Sequence, residues 1–135
     1  DLLAGIEAAV RSTGSPLQIL EQCLEVYFHF FRHSRELMEI VFTEGKQRVG
    51  EVHQELMDND SRIRGHLSDL FRSGMEEGLF RSLDPDPLAL LLHNPLWSLM
   101  RWAILFNEPI ETTRPLLLDV YLHGIQHTLD SSSIQ

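Results

Sequence analysis

The sequence predicts an all-α fold, an antiparallel helical bundle of about six helices. Apolar residues recur at three- and four-residue spacing along most of the 135 positions, and nothing alternates with period two for long enough to make a sheet. Leu and Glu dominate, and runs of β-branched residues are absent. Helix start and stop signals punctuate the chain: Ser15-Pro16, Asp84-Pro85 and Gly78. A chain of 135 residues is long enough for one domain with a real core, so residues 1–135 are read as one unit.

The first helix is expected over Leu2 to Arg11, ending before Ser12-Thr13-Gly14-Ser15. Ser15 caps the second, with Pro16 at its first position, and this helix runs to about Arg32. Leu17, Leu20, Leu24, Tyr27 and Phe31 lie on one face and Ile19, Cys23, Val26 and Phe30 on another, so it is a central helix. Ser34 caps a third helix carrying Leu37, Met38, Ile40, Val41 and Phe42, ended by Gly45 or Gly50. A fourth runs from about Gln47 to Glu77 with the stripe Val49, Val52, Leu56, Ile63, Leu67, Leu70 and Gly74. It is read as continuous across Asp58-Asn59-Asp60-Ser61. Gly78 ends it in the left-handed conformation, and Leu79 and Phe80 fold back as apolar anchors. Asp84 caps a fifth helix, about Pro85 to Phe106, which Pro95 interrupts by removing one hydrogen bond. The sixth starts near Thr113 and runs to about Leu129, with Gly124 offering a site of close approach to another helix.

The formal net charge is -9, from 20 acids and 11 bases, and Lys46 is the one lysine. Such a surface repels a phosphate backbone, which argues against direct nucleic-acid binding by this segment. Cys23 is the single cysteine, so an internal disulfide is excluded and a buried thiol is expected. The apolar stretches are too short and interrupted for a membrane span, and the N-terminus lacks the pattern of a signal peptide. A cytoplasmic protein without membrane contact is expected. The chain starts at Asp1 without an initiator Met, which suggests a piece of something longer.

The fifth and sixth helices are apolar over more of their circumference than one core covers. A homodimer, in which each subunit gives two helices to a four-helix bundle, accounts for the surplus. The expected interface residues are Leu96, Met100, Leu118, Tyr121, Leu122 and Ile125. The alternative is that both helices are core helices of a monomer. Aromatic residues concentrate on the second, third, fourth and fifth helices. Cys23, Tyr27, Phe30, Phe42, Leu67, Phe71, Trp97 and Arg101 are therefore candidates to line an apolar ligand pocket, or else simply fill the core. Arg101 stands in an apolar run; it forks an acidic group of a ligand, pairs at a subunit interface, or reaches solvent. His29 and His33, like His123 and His127, have the spacing of a metal-sharing pair, but nothing nearby completes a ligand set. No nucleophile elbow, phosphate loop or dinucleotide fingerprint occurs, so no catalytic residue, metal or cofactor is assigned.

Gly-Leu-Phe-Arg-x-x-Asp-Pro at 78–85 resembles a pattern of the regulatory domain of tetracycline-repressor-like (TetR/AcrR) transcription factors. Arg101-Trp102-Ala103-Ile104-Leu105 and Leu122-His123-Gly124-Ile125 are similar in kind to that family's last two helices, and His93-Asn94-Pro95 departs from it. The resemblance implies a C-terminal domain that binds a small apolar or amphipathic effector and dimerises through its last two helices. It also implies a helix-turn-helix DNA-binding domain preceding Asp1, through which alone DNA would be bound, and an allosteric repressor mechanism. Two other classes stay open at this point: a helical enzyme using metal or carboxylates, and a dimerisation module with a filled core.

Overall fold

The computed structural model describes residues 1–43 and 50–125. Among them six α-helices and one 3-10 turn occur and no strand. The helices are α1 (Leu2–Val10), α2 (Pro16–His33), α3 (Arg35–Thr43), α4 (Gly50–Glu76), α5 (Pro85–Leu105) and α6 (Arg114–Ile125), with the 3-10 turn at Ile110–Thr112.

Local chemistry sets most boundaries. Asp1 caps α1 by accepting from the Leu3 amide at 3.0 Å. At α2, Ser15 accepts from the Gln18 amide while the Gln18 side chain accepts from the Ser15 amide, with Pro16 at the first position. Asp84 caps α5 through the Asp86 amide, and Pro85 follows it. Gly78 has φ +76°, where a Cβ would be strained. The carbonyl of Gly74 accepts from both Leu79 and Phe80 and closes the end of α4. Only half of the expected apolar anchor forms there: Phe80 is buried against Phe71, whereas Leu79 faces solvent. α4 runs unbroken through 58–61, as its stripe requires. Gly50 opens this helix and does not end α3, while Gly45, Lys46 and Val49 lie outside the described residues, as do His127 and Leu129.

α4 and α5 form the central pair. Ser68 meets Pro85 at one end of their contact and Asp60 meets His93 further along, so the two run antiparallel. α1 lies across α2 and α4, and α3 packs on α5. α6 is tied in by Tyr121, whose hydroxyl donates to the Leu88 carbonyl at 3.2 Å, and by the Arg81 amide bonding the Ile125 carbonyl at 2.8 Å. One core joins all six helices, built from Ile6, Leu24, Phe28, Leu67, Phe71, Leu92 and their neighbours.

The apolar surplus of α5 and α6 divides differently from the expectation. Leu96, Met100 and Ile125, expected at a subunit seam, are buried inside the protomer. Leu118, Tyr121 and Leu122 are half-buried against the same core. The apolar residues left outward include Leu90, Leu91, Trp102, Leu105, Phe106, Leu116 and Val120. The reason is phase: a helix apolar nearly all round gives no sequence signal for which stripe faces inward. A Cβ on Gly124 would meet nothing within 4 Å in this chain, so the glycine serves no close approach within the protomer.

Candidate functional site

A cavity of about 190 Å³ opens where α1, α2, α3, α4 and α5 converge. Leu2 and Leu3 come from α1, Phe30 from α2, Leu37 and Met38 from α3, Ile63 from α4 and Trp97 from α5. Asp1, Asn59 and Asp60 supply the polar part of the described lining, and among the described residues no lysine or arginine belongs to it. Amphipathicity brings these residues together, since the core-facing stripes of five helices converge here.

Behind the cavity lies a buried polar chain. Tyr27 and His93 are fully buried, and the phenol oxygen stands 2.6 Å from His93 Nδ1. On the far side of the ring, His93 Nε2 meets Asp60 Oδ1 and, at 2.8 Å, the indole Nε1 of Trp97. Asp60 also faces Arg64 at 3.6 Å. Burial pushes the Tyr27 phenol well above its ordinary range, so it keeps its proton. Each nitrogen of a neutral imidazole ring serves either as donor or as acceptor, according to the tautomer. Nε2 therefore either donates to Asp60 or accepts from the Trp97 N–H, and cannot do both at once. Asp60 and the indole thus compete for one ring nitrogen.

The sequence candidates fall into distinct groups. Phe30 and Trp97 line the cavity, their rings 6.1 Å apart. Phe42 packs on the outer side of Trp97 with centroids 6.5 Å apart. Cys23, Tyr27, Leu67 and Phe71 are fully buried core residues outside the cavity lining. Arg101 is exposed and does not line it. Burial pushes the Cys23 thiol up to about 12, which keeps it an inert thiol. Asp60, His93, Met38 and Ile63 were not singled out by sequence. Asp60 lies in the polar interruption of α4 and His93 in the His-Asn-Pro departure of α5, and these two anomalies are the signal that could have found them.

Other concave regions have different chemistry. An open groove of about 600 Å³ between α2 and α6 is lined by Glu21, Glu25, Leu118 and Leu122 among others. A third region, about 370 Å³, lies beside His29 and His33, whose rings stack at 4.1 Å while His33 Nδ1 bonds the His29 carbonyl. Among the described residues no group of three or more His, Cys, Asp and Glu side chains is placed to hold a metal ion. No helix among them is long and apolar enough to cross a membrane.

Residues 13–103 match the family model described as tetracyclin repressor-like, C-terminal domain. The chain belongs to that family. Among solved structures it is similar to the ketosteroid transcriptional regulator KstR2 of Mycobacterium tuberculosis, with 24% identity and a TM-score of 0.74. The match covers 94% of this chain and 66% of that one, so this chain spans just under two thirds of its neighbour's length. At that identity the likeness is one of fold. A search of curated proteins gives no match.

Proposed function

We propose that this chain is the effector-binding and dimerisation domain of a transcriptional regulator. The observation that carries the reading is the cavity itself. It is mostly apolar with a few convergent polar groups, sits where five helices meet, and belongs to a chain of the tetracyclin repressor-like family. A small apolar or amphipathic molecule is the occupant such a site takes. Leu2 and Leu3 of the first helix form part of the wall, so an occupant would bias the position of α1. A DNA-binding domain joined ahead of α1 would feel that bias as a change in the stability of two dimer states. DNA contact belongs to such a domain, since the acidic surface of this segment is unsuited to it. The outward apolar residues of α5 and α6 support a homodimer built on that face.

Thermal unfolding of the chain against a panel of small cyclic molecules tests the site. A raised midpoint is expected for a subset of the panel, and it should vanish when Phe30 or Ile63 is replaced by the larger Trp, which fills the space. Stabilisation that survives both replacements would move the ligand elsewhere.

A further inference from the structure

We propose, building on the effector reading of this cavity, that its ligand is a compact hydroxyl-bearing molecule of the single-ring phenol or cyclic alcohol class. Its O–H donates to Asp60 and its oxygen accepts from the Trp97 indole.

The size of the space sets the scaffold. A cavity of about 190 Å³ is below the roughly 300–1,000 Å³ of drug-sized pockets, and an apolar cavity of about 150 Å³ accepts a benzene ring. The walls formed by Leu3, Phe30, Met38 and Ile63 suit such a ring.

The polar end sets the functional group. Asp60 and Trp97 both line the cavity and converge on one atom, His93 Nε2. That nitrogen can serve only one of them, as donor to Asp60 or as acceptor for the indole N–H, which leaves the other open to a further partner. Asp60, as a carboxylate, has lone pairs beyond those used by His93 and Arg64. A group that meets both needs must donate and accept from one point. A hydroxyl does so. A carbonyl or ether only accepts, an ammonium only donates, and a carboxylate or phosphate is repelled by Asp60, with no lysine or arginine side chain among the described lining residues to offset it. A hydrogen bond to a charged acceptor is among the stronger ones, so the hydroxyl carries a measurable share of affinity.

Calorimetric titration of the chain with 4-ethylphenol, ethylbenzene and 4-ethylbenzoate is the test. The expected order is 4-ethylphenol about tenfold or more tighter than ethylbenzene, with no detectable binding of the benzoate. Trp97→Phe, which keeps an aromatic wall and removes the donor, should narrow the gap between the first two compounds several-fold. Its fold is checked by circular dichroism, and the wild-type series stands without it. Equal affinity for 4-ethylphenol and ethylbenzene, or tight binding of the benzoate, overturns the hydroxyl assignment and leaves the cavity a ligand site. Binding of none of the three overturns both.

Discussion

The Tyr27 phenol and His93 Nδ1, 66 residues apart in sequence, are joined at 2.6 Å in the interior, and this bond fixes α5 against α2. Both side chains are fully buried, so neither end has water to fall back on. Tyr27→Phe keeps the ring and strands the histidine nitrogen. The expected cost is about 1–3 kcal/mol, the penalty for a buried polar atom left unpaired. Urea unfolding measures it. In a double-mutant cycle with His93→Leu the two losses should be strongly non-additive. A change within about 0.5 kcal/mol, the range of an ordinary surface substitution, would mean the bond contributes nothing.

Alkaline pH should weaken the fold, and the thiol of Cys23 should begin the decline. Burial raises this group from its ordinary value of 9.0 to about 12. Below pH 9 folded and unfolded chains both hold the proton, and stability is unaffected. Between 9 and about 12 the unfolded chain releases it and the folded chain does not, so the folded state loses about 1.4 kcal/mol per pH unit from this group. Tyr27 and Tyr121, both pushed upward by burial, add to the loss once pH exceeds 10. Cys23→Ala should flatten the first unit of the fall while lowering stability at pH 7 through the cavity it leaves. An unchanged slope between pH 9 and 10 in that variant would assign the decline to other groups.

The helix boundaries were legible because their chemistry is local. Ser15 with Pro16, Gly78, and Asp84 with Pro85 each act within a few residues, and each formed as read. Burial phase on α5 was not legible, because Leu96 and Met100 differ from Leu91 and Leu105 only in direction, and an all-apolar stretch carries no directional signal. The site was half legible. Phe30 and Trp97 announce themselves as aromatic residues at helical spacing. The Asp60–His93–Tyr27 chain draws one residue from each of three helices, so its members acquire meaning only when α2, α4 and α5 are packed.

Gly74 lies on the expected apolar stripe of α4, but its role is to be small. A Cβ there would stand 2.1 Å from Cδ2 of the Phe80 ring, which is itself buried against Phe71. A planar ring in a packed core has little room to yield. Gly74→Ala should therefore destabilise the domain by about 1–3 kcal/mol, although alanine is the better helix former by about 1 kcal/mol. The companion change Phe80→Leu should recover part of the loss in the double variant. If Gly74→Ala raises the unfolding midpoint, the Phe80 ring moves freely and the turn at 77–84 is not held by this contact.

The proposed dimer is tested by contrasting two kinds of α6 residue. Leu116 and Val120 are 66% and 62% exposed, so a charge placed there costs the protomer little. Ile125 is 4% exposed, and a charge there is buried within the fold whether or not a partner is present. Leu116→Glu combined with Val120→Glu should give a folded monomer, with helical content retained and the sedimentation coefficient reduced to that of 15.6 kDa. The two acids would face their symmetry copies across a two-fold seam, where like charges repel. Ile125→Glu should instead lose stability by several kcal/mol. A double variant that still sediments as a dimer would place the interface on another surface. Trp102, Leu105 and Phe106 at the end of α5 would then be the next to change, since they too are exposed apolar residues.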